Sequence, residues 1–181
     1  MIFYYTRTKI TAVFARAFQE ILHLPLHEIE SDINNKGKFS LFWLAIRGKP
    51  YPVNDIPKEF PNEIYIATPI WAGRLAAPVL YFLQNANLRD TKVNLILTAS
   101  MPTIKYCEKA EKYLETLDLI PGKVYIFAGT KDPNIEAIKE QINELWRFEL
   151  KTVLMESKMP NASTVFLMNS DTSLKQNDYI I

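Results

Sequence analysis

The sequence predicts an α/β domain built on a parallel sheet with helices on both faces. Short apolar runs read as buried strands: Ile2-Phe3-Tyr4-Tyr5, Ile64-Tyr65-Ile66-Ala67, Val93-Asn94-Leu95-Ile96-Leu97 and Val124-Tyr125-Ile126-Phe127-Ala128. They alternate with segments whose apolar residues recur at helical spacing. Strands separated by helices join through right-handed crossovers, which makes them parallel and places helices over both faces.

In chain order, the first run leads through Thr6-Arg7-Thr8-Lys9-Ile10-Thr11 into a helix with Val13, Phe14, Ala17, Phe18, Ile21 and Leu22 on one face. Leu26 to Ile29 is a strand polar enough to lie near an edge, and residues around Ser40 to Arg47 carry a helical patch. The run at Ile64 ends in Thr68-Pro69 and a loop holding Trp71 and Gly73. Pro78 then falls in the first turn of the next helix, where its missing N–H has no partner to lose. Thr98-Ala99-Ser100-Met101-Pro102 follows the next strand and precedes a helix marked by Ile104, Cys107, Ala110, Leu114 and Leu117. After the fifth strand, Ile135, Ile138, Ile142 and Leu145 mark the last helix, which Asp132 or Pro133 should open. Residues 1–150 form the domain; residues 151–181 depart from the alternation and read as a C-terminal extension, the end of the last helix plus a tail that either packs over an edge or stays loose.

Two loops carry the candidate chemistry. Three hydroxyls at a helix N-terminus, with its free N–H groups and positive dipole end, suit a phosphate. Ordinary N-capping by Thr8 or Thr11 is the alternative. Trp71, read as exposed on a loop at the C-terminal end of a buried strand, stands where α/β proteins bind flat ligands. Here the alternative is a ring that caps the core.

These loops resemble those of the flavodoxin family, in its short-chain form. That family's first loop reads [ST]-x-[ST]-G-x-T. Thr6, Thr8 and Thr11 match it, while Lys9 replaces the glycine and Ile10 a commonly polar residue. The second family loop, T-P-x-W-A-G, is matched at each fixed position by Thr68, Pro69, Trp71, Ala72 and Gly73. The segment Phe39 to Pro52, with Phe42-Trp43 and Arg47-Gly48-Lys49, is also similar to this subgroup.

The resemblance implies a flavodoxin-like three-layer sandwich, with five parallel strands ordered 2-1-3-4-5 and the ligand at the switch between the first and third. It implies FMN as cofactor. Thr6, Arg7, Thr8, Lys9, Ile10 and Thr11 would cradle the phosphate. Thr68, Pro69, Ile70, Trp71, Ala72, Gly73 and Arg74 would border the isoalloxazine, with Trp71 stacked on it, and Thr98, Ala99, Ser100 and Met101 would form a third wall. Arg74 reads equally as a solvated loop charge. The implied function is electron transfer through bound flavin, to a redox partner protein or a small acceptor, by a monomer or homodimer. Two alternatives stay open: an FMN-dependent reductase of a small acceptor such as a quinone, and a flavin-free module of the same fold.

Composition agrees with a globular domain. The chain has 181 residues, 48% of them hydrophobic, with no apolar run of membrane-spanning length and no secretion signal at its start. The single Cys107 excludes an internal disulfide, fits a reducing cytoplasm, and has the spacing of a packed core residue. The formal net charge is +1, whereas electron-shuttling flavodoxins are typically strongly acidic, as the resemblance implies. No basic cluster with interleaved aromatics points to nucleic acid. His23 and His27 are separated by Pro25, which breaks the helix that would align them on a metal. Glu28, Glu30 and Asp32 read as a solvated strand end, Trp43 and Trp146 as packing residues.

Overall fold

Strand β1 (Ile2–Tyr4) is buried along its whole length, so it takes a central place in the sheet. It pairs in parallel with β2 (Leu26–Glu28) on one side and β3 (Glu63–Trp71) on the other. The computed structural model describes residues 1–35, 37–155 and 165–168. Beyond β3 the parallel path continues through β5 (Lys92–Ala99), β6 (Ile120–Ala128) and β7 (Val165–Met168). A two-residue strand, β4 (Arg74–Leu75), pairs antiparallel with the end of β3. The order β2-β1-β3-β5-β6 is the expected five-strand order with its switch at β1.

Side-chain alternation divides the interior in two. Phe3, Ile66, Leu95, Leu97, Val124 and Ile126 face a core shared with α3 (Ala77–Asn85) and α4 (Ile104–Thr116). Ile2, Tyr4, Ala67, Ile96, Tyr125 and Phe127 face a second core shared with α1 (Ile10–Leu22) and α5 (Ile135–Met155). Lys139 of α5 bridges Glu20 of α1 and its own Glu136, tying the two helices at the surface. A further helix, α2 (Lys38–Arg47), ends at Gly48, whose φ of 59° is left-handed. Among the described residues no helix is long and apolar enough to cross a membrane.

Pro78 lies in the first turn of α3, as its chemistry requires. Other details depart from expectation. The last helix is opened by Asn134, not by Asp132 or Pro133: its Oδ1 accepts the N–H groups of Glu136 (2.9 Å) and Ala137 (3.3 Å). The extension contributes a strand as well as a helix end, since α5 runs to Met155 and β7 adds a parallel edge to β6, with Val124 opposite Val165. The run Val165-Phe166-Leu167-Met168 stands among Ser, Asn and Lys and is not followed by a helical pattern, so the strand–helix alternation that marks the other strands does not mark it. The rest of the extension, residues 156–164 and 169–181, lies outside the described residues. Trp43 is 52% exposed, with the Arg47 guanidinium 5.5 Å above its ring, so it is a surface residue and not a packing one. Trp146 does pack, edge-on to Phe18 in the second core.

Candidate functional site

The chain leaves β1 buried at Tyr5 and Thr6 and surfaces at Arg7, Thr8 and Lys9. Lys9 then turns left-handed, at φ 64° and ψ −8°, and α1 begins at Ile10. This is the position where the family pattern has glycine, and the backbone shows why: left-handed geometry crowds a Cβ. Lys9 adopts it regardless.

No side chain caps α1. Thr8 and Thr11, the expected candidates, both fail to do so. Thr11 is buried, and its Oγ1 shares a 2.8 Å hydrogen bond with Oγ1 of Thr98, so its hydroxyl joins the first turn of α1 to the end of β5. The opening turn therefore keeps the free N–H groups and positive dipole end of an uncapped helix. Three residues ahead of Lys9, Thr6 is only 8% exposed, and its Oγ1 has no hydrogen-bond partner. A buried hydroxyl left unpaired costs on the order of 1–3 kcal/mol, and such groups are rare in native folds without a functional cause.

The second loop is a β-hairpin. Strand β3 continues past Thr68 and Pro69 to Trp71, and the chain returns as Arg74–Leu75, with Ile70 opposite Leu75 and Trp71 opposite Arg74. The two connecting residues, Ala72 (φ 48°) and Gly73 (φ 76°), are both left-handed, as a type I′ turn demands. Trp71 is consequently half-buried rather than perched on an open loop. Its ring meets Tyr5 edge-on, at 5.6 Å and 81°. Burial, above all, pushes the Tyr5 phenol up to about 12. Ile70 is likewise half-buried. Thr68 is fully buried: its Oγ1 donates to the Pro69 carbonyl (3.2 Å) and accepts the Ala76 N–H (3.3 Å), which ties the hairpin to the start of α3.

The hairpin tip lies between two helices. A Cβ built on Gly48 at the end of α2 would stand 3.0 Å from the Arg74 guanidinium, so Arg74 lies across that helix terminus. A Cβ on Gly73 would stand 3.5 Å from the Tyr106 ring and 3.8 Å from Nζ of Lys109, both on α4. In the third segment, Thr98 and Ala99 are buried, Ser100 is exposed and Met101 is 78% exposed. The Ala99 carbonyl accepts the Gly129 N–H (2.8 Å), and a Cβ on Gly129 would reach Ile10 at 3.4 Å.

All three loops thus meet at the carboxyl end of the sheet, beside the switch at β1. Arg7, Thr8, Lys9, Ala72, Arg74, Ser100 and Met101 are presented to solvent there, while Thr11, Thr68 and Thr98 spend their hydroxyls within the fold. Tyr5, Gly48, Tyr106, Lys109 and Gly129 join the site without having been expected. Tyr5, the last residue of the first apolar run, and Gly48, within the segment similar to the subgroup, carried a signal in the sequence; the other three did not. His23 closes α1 in left-handed geometry and His27 stacks on Phe3, so neither reaches the site.

No family model and no curated protein matches the chain. Solved structures do. A protein of Bacteroides uniformis ATCC 8492, provisionally assigned as a flavoprotein, superposes with a TM-score of 0.62 at 20% identity, covering 79% of this chain and 96% of its own. A similarly assigned protein of Bacteroides eggerthii DSM 20697 gives 0.60 at 14% identity, over 78% and 94%. A flavoprotein of Lactobacillus acidophilus NCFM, crystallised in complex with FMN, gives 0.54 at 18% identity, over 69% and 90%. At these identities the likeness is one of fold, and the strand order agrees with it: this chain has the flavodoxin-like α/β fold.

Proposed function

We propose that this chain binds FMN at the carboxyl ends of β1, β3 and β5 and passes electrons through it. The observation that carries this reading is the buried, unpaired hydroxyl of Thr6 close to the uncapped start of α1. A phosphate monoester fits both features, because it accepts several hydrogen bonds and takes negative charge to the helix terminus. Thr6, Thr8 and the first N–H groups of α1 would hold it, with Arg7 and Lys9 adding charge. FMN, when bound, supplies reversible one- and two-electron chemistry that the side chains lack.

The chain's own contribution is placement. Trp71 offers a half-exposed ring braced from below by Tyr5, a rigid surface for a flat ligand. The clamp from Thr68 to Ala76 keeps the hairpin at one height above the sheet. Arg74 and Lys109 put positive charge beside the hairpin tip, where it favours a reduced and more negative ligand. Support also comes from the three flavoproteins of the same fold, one of which was crystallised with FMN. A reductase acting on a small acceptor is the second reading, favoured by a net charge of +1 that supplies no acidic docking field.

Titration of flavin-free chain with FMN and with riboflavin tests the proposal. FMN is expected to bind far more tightly. Thr6→Val should weaken FMN roughly 10- to 100-fold, the loss of one or two hydrogen-bond equivalents to a charged group, and leave riboflavin unchanged. Equal affinity for FMN and riboflavin would falsify the phosphate assignment.

A further inference from the structure

The chain is nearly neutral, with 21 Lys and Arg against 20 Asp and Glu, but the segments that meet at the site are not. Residues 5–11, 68–76 and 98–109 contain Arg7, Lys9, Arg74, Lys105 and Lys109, all exposed, against a single carboxylate, Glu108. One turn along α4, Lys109 shares the face of Lys105, and its Nζ reaches the hairpin turn at Gly73. Arg74 flanks the same turn from the α2 side, across Gly48. The tip therefore carries a cation on each side and an aromatic ring, Trp71, directly opposite Arg74 in the strand pair. On the strand beyond β1, Glu28 accepts a 2.9 Å hydrogen bond from Tyr4.

We propose that this cationic rim selects the site's second reactant: a small molecule with net negative charge on phosphate, carboxylate or sulfonate groups, docked at the hairpin tip between Arg74 and Lys109. The proposal rests on the FMN reading above. Exposed charges of one sign around a recess raise the local concentration of an oppositely charged reactant and its rate of arrival, an effect that salt removes. A small reactant fits better than a protein. Among the described residues of these three segments, Met101 is the one large apolar side chain that is exposed, too little for the apolar centre of a protein interface.

Two measurements on the full chain test this. The first needs no flavin. With Trp43→Phe and Trp146→Phe leaving Trp71 as the fluorophore, iodide should quench more strongly than caesium at low salt, each quenching constant being divided by that for free N-acetyltryptophanamide. Raising chloride should abolish the difference, and adding Lys105→Glu with Lys109→Glu should reverse it. Equal quenching, or stronger quenching by caesium, overturns the proposal. The second follows stopped-flow reoxidation of the reduced, FMN-loaded chain by hexacyanoferrate(III) and by hexaammineruthenium(III). Each complex takes one electron, so a fully reduced flavin consumes two complexes, with release of one proton from its anionic form or two from its neutral form. The rate constant for the anionic complex should fall about tenfold or more between about 10 mM and about 500 mM salt, and that for the cationic complex should rise. The double glutamate variant should exchange the two slopes. A chain that takes up no FMN defeats the flavin reading and this proposal with it. A loaded chain lacking these slopes defeats this proposal alone.

Discussion

Lys9 holds a conformation that a side chain resists. At φ 64° it sits where left-handed geometry costs an L-residue roughly 1–2 kcal/mol, yet it keeps the loop in the shape a glycine would take. Lys9→Gly should therefore stabilise the flavin-free chain by about 0.5–1 kcal/mol, since relief of strain outweighs the added freedom of the unfolded chain. A thermal melt measures it. The same exposed ammonium stands at the uncapped start of α1, so Lys9→Glu should weaken FMN strongly by repelling its phosphate. If the dissociation constant of Lys9→Glu equals that of the parent, the phosphate lies elsewhere. Thr6 makes the complementary point: its value to the flavin-free chain is negative, because its hydroxyl is buried and unpaired.

The hairpin between β3 and β4 is the element on which the site turns. Its two-residue connection places Ala72 and Gly73 at positive φ, a geometry for which Asn-Gly is the preferred pair. Ala72→Asn should raise the melting temperature slightly, by a few tenths of a kcal/mol in stability. Gly73→Ala should lower stability by about 1–2 kcal/mol, since its φ of 76° is strained for any Cβ although the Tyr106 ring at 3.5 Å leaves room. For a chain of this length that is a shift of roughly 2–8 °C, read in a thermal melt. A Gly73→Ala chain melting at the parent temperature would contradict the turn geometry. The resemblance of residues 68–73 to T-P-x-W-A-G was visible from the start, but the hairpin was not. Period and composition do not reveal that Trp71 pairs with Arg74, which depends on the turn closing tightly enough to continue the strand.

At the scale of the whole molecule, Tyr5 couples the core to the site. It is buried, touches Trp71, and holds its proton to about 12, mainly because burial penalises the phenolate. The unfolded chain releases that proton near the ordinary tyrosine value of about 10. Because the folded value is the higher one, the stabilisation is complete below pH about 10 and is lost as pH rises towards 12. Melting temperature measured across this window should fall, and Tyr5→Phe should flatten part of the fall. Tyr4 and Tyr113, also raised chiefly by burial, account for some of the remainder. A Tyr5→Phe chain with the parent's alkaline profile would place the transition on other groups.

The amino-acid sequence by itself determined the class of fold, the two buried layers and the three loops at the carboxyl end of the sheet. Each of these follows from a pattern within one segment. Period two assigns a strand's residues to its two faces, helical spacing marks a buried stripe, and Pro78 marks a first turn. What only the tertiary structure decided are the pairings between segments. Thr11 and Thr98, 87 residues apart, satisfy each other, whereas Thr6 does not find a partner. Thr68 turns inward to hold Ala76, and Trp71 leans on Tyr5. Lys109 arrives beside Gly73 from another helix, and β7 joins β6 across a long connection. A hydroxyl-rich loop looks the same in sequence whether its hydroxyls bond inward or remain open. Sheet register and helix placement, set by packing across the whole domain, decide which of them are left for a ligand.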